Sequence, residues 1–126
     1  MPNGKHMKRI LDRIYRHESL AGIDLRNLYL SSMDFSRLEL RDADLTGCCL
    51  NHALLDGCDL TDANLTGAKL SHASLNGAKL SGAVFADVLA DGASFKGGTE
   101  ALDQRVPEGE RRQGHRLKVA LRKKLF

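Results

Sequence analysis

Several side chains that could do chemistry recur twenty residues apart in this chain of 126 residues. His52 and His72 form one such pair, and two imidazoles at a fixed separation could hold a metal ion. A group of carboxylates has the same spacing or lies beside it, and such a group could bind a basic partner. Its members are Glu39, Asp42, Asp44, Asp59 and Asp62. The interval of twenty predicts that a regular coil brings these side chains together.

Three cysteines also carry reactive groups, but Cys48, Cys49 and Cys58 fit no zinc spacing and are odd in number. We expect Cys48 and Cys58 to lie inside the molecule as small apolar groups, in reduced form. We expect Cys49 to point outward and to be the one thiol that can be modified.

The sequence contains no recognisable catalytic arrangement. Glycines such as Gly47 and Gly67 recur where turns are expected, rather than in a phosphate-binding loop. No serine shows a motif-level pairing with His and Asp, and two histidines without a third ligand make a weak metal site. We therefore predict no catalytic residue, no cofactor, no metal and no enzymatic activity. If the regular coil is narrow and solid, it also has no pocket that excludes water.

A five-residue period must position these groups. Large apolar residues stay in step over sixteen positions, and only one of these is neither Leu nor Phe. The positions are Leu20, Leu25, Leu30, Phe35, Leu40, Leu45, Leu50, Leu55, Leu60, Leu65, Leu70, Leu75, Leu80, Phe85, Ala90 and Phe95. A smaller apolar residue, mostly Ala, stands two positions before each of them from Ile23 to Ala93. A period of five fits neither a helix nor a flat strand, so it predicts a repeat solenoid.

Four segments carry the repeat most clearly, and they resemble the pentapeptide repeat family, whose repeat is loosely A-(D/N)-L-x-x. These segments are Ala43–Gly47, Ala63–Gly67, Ala68–His72 and Ala78–Gly82. The resemblance spans residues 18–97. It implies an all-β repeat solenoid, a right-handed quadrilateral β-helix of about four coils with four repeats in each. With ~4.8 Å between paired strands, the rod would be about 20 Å long.

Residues twenty apart should then stack, because one coil takes twenty residues. Leu25, Leu45, Leu65 and Phe85 form one of four interior ladders. The same rule places the carboxylates on one face, with Glu39 over Asp59, Asp42 over Asp62, and Asp44 at the next corner. Arg41 interrupts this face and Lys79 ends it. The face is either simply solvated or a docking surface for a basic partner.

Two departures from the repeat mark the ends of the solenoid. In the first coil the small position is enlarged to Ile23, Leu28, Met33 and Leu38, which predicts apolar surface that something must cover. In the last coil, Val88-Leu89-Ala90 has a small residue at the central position and a large one just before it. This is either a disturbed register or an outward Leu89 that packs under the C-terminal tail.

Residues 1–17 are predicted to form a capping segment built on an amphipathic helix over residues 5–17. The apolar residues expected on one helical face are Met7, Ile10, Leu11, Ile14 and Tyr15. We expect this helix to cover the open end of the first coil. The alternative is a helix that binds a membrane surface or a partner.

The other end is predicted to comprise a linker over residues 98–114 and a basic amphipathic helix over residues 115–126. The apolar face of this helix carries Leu117, Leu121, Leu125 and Phe126. It could cap the solenoid, pair with a second subunit in a homodimer, or dock on an acidic partner.

Charge is segregated along the chain, whose net charge is +3. Residues 1–19 carry +3, residues 20–98 carry −4 and residues 99–126 carry +4.

We expect a cytoplasmic protein, because no secretory signal or membrane span is visible. The first hypothesis is a non-enzymatic interaction or scaffold protein whose protein partner is unknown.

Two other hypotheses remain open. The resemblance implies a DNA-mimicking gyrase modulator of the quinolone-resistance type, because the pentapeptide repeat family includes such acidic rods. Alternatively, the basic ends bind nucleic acid or anionic membrane. We expect neither nucleic acid nor membrane as the main partner, since the ends lack interleaved aromatic residues.

Overall fold

The computed structural model describes residues 4–97, which form one α-helix followed by four-sided coils. Helix α1 spans Gly4–Tyr15. Eleven parallel β-bridges follow, and every bridge joins two residues that are twenty apart. The predicted coil of twenty residues is therefore present. The predicted paired strands are not, because within residues 4–97 each pairing is one residue long.

The five-residue repeat explains why the pairings are so short. Each repeat begins with a four-residue turn, closed for example by the bond from the Cys48 N–H to the Leu45 carbonyl oxygen at 3.1 Å. Only the fifth residue of the repeat is left outside the turn, and that residue makes the bridge to the next coil. Backbone hydrogen bonds on both sides of each bridge join the coils, as from Leu45 N to Asn64 O at 2.7 Å.

The bridging residues define four faces of the rod. Face 1 carries Asp24, Asp44, Asn64 and Val84, and face 2 carries Tyr29, Cys49, Lys69 and Leu89. Face 3 carries Asp34, Leu54, Ser74 and Ser94, and face 4 carries Glu39, Asp59 and Lys79. The outward surface can therefore be read face by face.

Every fifth residue from His17 to Gly97 has a positive φ. From Gly22 onward this residue is the third of each coil turn, where a type II turn requires a left-handed backbone. His17 instead caps the C-terminal end of α1 in the left-handed conformation, next to the bond from the Glu18 N–H to the Arg13 carbonyl oxygen at 2.9 Å. Glycine occupies eight of these corners, and Asn and Asp, which tolerate this conformation, take four more. Arg37, with φ 63°, has neither advantage.

The Asp or Asn that precedes the central leucine has a defined structural role. Asp44 accepts a hydrogen bond from the Thr46 N–H at 3.1 Å, and Asn64 accepts one from the Thr66 N–H at 3.1 Å. Asp34 on face 3 accepts from the Ser36 N–H of its own turn at 2.9 Å. In later turns after face 3 the acceptor comes from the preceding coil, where Asp56 accepts from the Asn76 N–H at 2.8 Å. These side chains satisfy turn donors that the coil-to-coil ladder does not reach.

The interior consists of the central leucines and phenylalanines with the small residues between them. Leu25, Leu45 and Leu65 are almost completely buried, as are Ala63 and Ala68. Since each coil covers the next, a single hydrophobic cluster extends from the first coil to Phe95.

Helix α1 packs on the first coil through Ile10 and Ile14, which are 2% and 7% exposed and belong to the same hydrophobic cluster. Met7 and Met33 pack against that cluster and are only partly buried. The expectation that Leu11 and Tyr15 lie on the covered face is wrong, since they are 39% and 88% exposed. The reason is that the packed stripe is narrow and centres on Ile10 and Ile14.

The last coil keeps its register. Leu89 pairs with Lys69 in a bridge, Asp87 and Gly92 keep positive φ, and Leu89 is 56% exposed. The outward position of Leu89 therefore replaces the alternative of a disturbed register. The predicted linker 98–114 and helix 115–126, with Leu117, Leu121, Leu125 and Phe126, lie outside the described residues. No helix among residues 4–97 is long and apolar enough to cross a membrane.

Candidate interaction surfaces

The predicted carboxylates lie on two adjacent faces and on the corner between them. Glu39 and Asp59 form a bridge on face 4, Asp44 lies on face 1, and Asp42 and Asp62 are corner residues with φ 58° and 59°. We call these five residues the acidic edge. Their stacking follows the interval of twenty, whereas their role in docking stays a prediction.

Hydrogen bonds hold several of these carboxylates in place. Asp59 accepts from the Thr61 N–H at 3.1 Å and from the Thr61 hydroxyl at 2.5 Å, and Arg41 Nε lies 3.9 Å away. Partial burial opposes the charged form, but these hydrogen bonds and the charges of Arg41 and Lys79 hold the pKa of Asp59 below its ordinary value. Asp44 makes the equivalent bonds to Thr46. The edge is therefore ordered before any partner arrives.

Three cations partly neutralise the acidic edge and its neighbour Asp24. The Arg26 guanidinium makes two 3.0 Å contacts with Asp24 and lies 3.7 Å from Asp44. The hydrogen bonds from Arg26 lower the pKa of Asp24 to about 2. With Arg41 and Lys79, this leaves six carboxylates against three cations, a net charge of −3. Glu39, Asp42 and Asp62 form no ion pair within residues 4–97 and carry most of the uncompensated charge.

The diagonally opposite corner combines the predicted pair His52 and His72 with exposed apolar side chains, of which the sequence analysis anticipated only Leu89. His52 and His72 stack there with ring centroids 5.1 Å apart and an interplanar angle of 14°. Tyr29 and Leu89 on face 2 and Leu54 on face 3 are exposed. These three are the large exposed hydrophobic residues of the described coils. The sequence does indicate these exposed residues, because each is a large apolar residue at a bridging position, where the repeat of the family prefers Asp or Asn.

Within the part of the chain that the structure describes, the stacked histidines have no third metal ligand beside them. Among residues 4–97 no group of three or more His, Cys, Asp or Glu side chains is arranged to hold a metal ion. The corner position explains the stacking, because both imidazoles project from the same turn of successive coils. Repetition alone therefore accounts for the geometry of the pair.

The cysteines divide as their positions predict. Cys48 and Cys58 are buried and donate their S–H groups to the carbonyl oxygens of Leu25 and Phe35, at 2.6 and 2.7 Å. Burial raises the pKa of both thiols to about 12, which makes them unreactive. Cys49 is half-buried, and its Sγ lies 3.0 Å from the Ser31 hydroxyl.

Two open grooves flank α1 at the N-terminal end, where the sequence predicted no pocket. We call the smaller one, of about 590 Å³, the α1 groove; it is lined by Leu11, Asp12, Ile14, Tyr15, His17, Met33 and Asp34. The larger one, of about 900 Å³, is lined by His6, Met7, Asp24, Arg26, Asn27, Leu28 and Tyr29. Both exist because α1 covers only part of the enlarged first coil.

Comparison with known proteins finds both a matching family model and similar solved structures. The family model for pentapeptide repeats matches residues 19–57 and 58–97. Among solved structures, the pentapeptide repeat protein alr5209 from Nostoc PCC 7120 is 29% identical with a TM-score of 0.67. That match covers 71% of this chain and 74% of alr5209.

More distant structures also match. AT2G44920, a pentapeptide repeat protein from the Arabidopsis thaliana thylakoid lumen, is 26% identical over 90% of this chain and 80% of its own, with a TM-score of 0.32. QnrB1, a plasmid-mediated fluoroquinolone resistance protein, is 20% identical over 68% of this chain and 51% of its own, with a TM-score of 0.31. Comparison with curated proteins finds no match.

Proposed function

This chain belongs to the pentapeptide repeat family, and we propose that it is a non-enzymatic interaction module whose acidic edge docks a basic protein partner. Members of this family fold as right-handed quadrilateral β-helices, and the twenty-residue coils of this chain agree with that architecture. The observation that supports the proposal is the net negative, hydrogen-bonded edge formed by faces 1 and 4. We propose a cytoplasmic location for the same protein.

Rigidity makes such an edge suited to docking. The turn hydrogen bonds at Asp44 and Asp59 fix these carboxylates relative to the backbone, and coil-to-coil bonds fix the coils relative to one another. A partner therefore meets charges that need little further ordering, which lowers the entropic cost of binding. Electrostatic complementarity of this kind increases association rates and selects basic partners.

A matched pair of variants tests the proposal with an oligolysine peptide as the probe. Asp42→Asn with Asp62→Asn removes the two corner charges, and Asn tolerates the left-handed backbone at both positions. The control is Asp87→Asn with Asp91→Asn, which removes the same charge elsewhere; Asp87 is also a left-handed corner. We expect the first variant to bind the peptide several-fold more weakly, and the control to bind it as the parent does. Equal binding by all three proteins would refute the acidic edge as the docking surface.

The alternative is a DNA-mimicking gyrase modulator, for which the acidic edge is the favourable observation. The described edge carries three cations among its carboxylates, which weakens the likeness to a phosphate backbone. A dimer through residues 115–126 would lengthen the edge. A supercoiling assay decides between the two functions: inhibition or protection of gyrase at micromolar protein supports the alternative, and no effect removes it.

Binding of nucleic acid or anionic membrane through the basic ends has less support at the described end. Arg13 and Arg16 of that end lie 3.9 and 4.0 Å from Glu18, so part of their charge is already compensated. The packed stripe of α1, centred on Ile10 and Ile14, is buried on the first coil, so these two side chains are not available for insertion into a bilayer. Binding to DNA or to anionic vesicles at low salt would revive this hypothesis.

A further inference from the structure

The N-terminal end of the described chain exposes more large apolar side chains than any other part. Of the five that are exposed, Leu11, Tyr15 and Tyr29 lie here. Met33 and Ile23 beside them are only partly buried, although they occupy inward positions of the first coil. Exposed apolar groups that lie close together mark binding surfaces. This end therefore has room for a further apolar segment.

The α1 groove defines what that segment must be like. Its apolar lining comes from Leu11, Ile14 and Met33, with Tyr15 at the side. Two carboxylates, Asp12 and Asp34, lie on the same groove. Hydrogen bonds from Ser36 hold the pKa of Asp34 below its ordinary value, and the charge of the nearby His17 acts in the same direction. An apolar groove lined by carboxylates fits a basic amphipathic helix.

We propose that the α1 groove binds residues 115–126 of the same chain. The sequence of this segment predicts a helix with Leu117, Leu121 and Leu125 on one side. Basic residues flank this side, namely Arg116, Lys118, Arg122 and Lys123, and Lys124 lies beside the leucines. The leucines match the apolar lining, and the cations can approach Asp12 and Asp34.

The chain is long enough to make this contact. The described solenoid ends at Gly97, on the corner between faces 3 and 4, and Asp34 in the groove lies on face 3. Three coil intervals of ~4.8 Å separate the last coil from the first, about 14 Å in all. The seventeen residues from 98 to 114 can extend over roughly 56 Å. A tether of this length gives an effective concentration of about a millimolar, which favours the chain's own segment.

Two other occupants fit less well. The α1 helix of a second copy has Ile10 and Ile14 already buried on its own first coil, so these side chains are not available to fill the groove. The acidic edge offers residues 115–126 carboxylates but no large exposed apolar residue, so the leucines would stay in water. The α1 groove therefore accounts for both the apolar side and the basic side of the segment. A partner with a basic amphipathic helix would have to displace it.

Tyrosine fluorescence reports directly on this contact. The chain has two tyrosines and no tryptophan, and Tyr29→Phe leaves only Tyr15, which lines the α1 groove. In that background, Leu117→Glu with Leu121→Glu should increase acrylamide quenching of Tyr15 about twofold, because the ring face loses its apolar cover. The control is Val119→Glu, which introduces the same side chain off the leucine stripe and should leave quenching unchanged.

Adding a synthetic peptide of residues 115–126 to the double-glutamate variant should restore the protection. Asp34→Asn should weaken the protection in the parent background, whereas Asp62→Asn should not. Equal quenching in the parent and the double-glutamate variant would overturn the proposal. Protection that appears only in a dimer, measured by light scattering, would assign the groove to a second copy and would also overturn it.

Discussion

The middle coils and the first coil solve the same packing problem differently. In the middle coils the small inward position holds Ala43, Cys48, Ala53, Cys58 or Ala63, and all are fully buried by the coils above and below. In the first coil the same position holds larger residues, of which Ile23 and Met33 stay partly exposed, and α1 lies on them. Small residues at this position therefore let neighbouring coils bury the interior completely. Larger residues at the same position leave an apolar surface on which another element can pack.

The surfaces of the two regions differ for the same reason. The acidic edge is made of side chains that hydrogen-bond to their own turns, as Asp59 does to Thr61. The N-terminal end presents Leu11, Tyr15 and Tyr29 around open grooves. The first surface selects partners by charge, and the second by apolar contact.

The largest expected effect concerns the middle coils. Leu65→Asp places a carboxylate at a position with no exposure, in the centre of an interior ladder. Burying an unpaired charge and losing the leucine should cost more than about 4 kcal/mol, enough to unfold the rod. Circular dichroism melting measures the result. Leu54→Asp, on the exposed bridging position of face 3, is the control and should melt within a few degrees of the parent; an unchanged midpoint for Leu65→Asp would contradict the stacking of coils.

The next effect tests the first coil. Ile10→Ala removes the most buried contact of α1 and should cost about 2–4 kcal/mol, because the cavity can close only partly. The loss should appear as reduced helical signal at temperatures where the coils stay folded. Leu11→Ala, on the exposed flank of α1, should change the unfolding free energy far less. A cooperative loss of both helix and coils would show instead that the first coil does not fold without α1.

Smaller effects are expected at the corners, which the two regions share. Arg37 has φ 63°, and Gly57 lies directly below it in the next coil with φ 69°. Arg37→Gly should stabilise the protein by about 0.5–1 kcal/mol by relieving the left-handed strain, and Gly57→Ala should destabilise it by a similar amount. Chemical denaturation of the two variants measures both signs. Opposite signs would mean that side-chain contacts of Arg37 outweigh its backbone conformation.

The smallest expected effect is a pH dependence of the melting temperature, caused by carboxylates on the two surfaces. The pKa of Asp24 is lowered to about 2, and those of Asp59 and Asp34 are lowered as well, so their interactions stabilise the fold above the ordinary carboxyl pKa near ~4. This stabilisation is lost as pH falls through the folded-state values, so the melting temperature should decrease between pH 4 and about 2. Asp59→Asn should flatten that decrease slightly. Asp42→Asn serves as the comparison, because Asp42 lies on the same edge and makes no ion pair with any described residue. An identical pH profile for Asp59→Asn and the parent would contradict the role assigned to Thr61 and Arg41.

Much of the interior follows from the period alone. The ladder of Leu25, Leu45 and Leu65, the stacking of His52 on His72, and the positions of Asp42 and Asp62 all depend on a coil of twenty residues. This length is set by four copies of a five-residue turn. A local rule repeated without interruption determines which residues are neighbours, so sequence reasoning can reach them.

The tertiary structure decided what no local rule contains. The single-residue pairings arise because each turn uses four of the five residues, and the left-handed backbone at Arg37 and His52 follows from the corner position whatever residue stands there. The exposure of Leu11 and Tyr15 depends on how α1 docks as a rigid body, and helical periodicity states only which side chains share a face. Repetition in the sequence thus determined the coils and the acidic edge, while the grooves beside α1 depend on packing between elements of unequal shape.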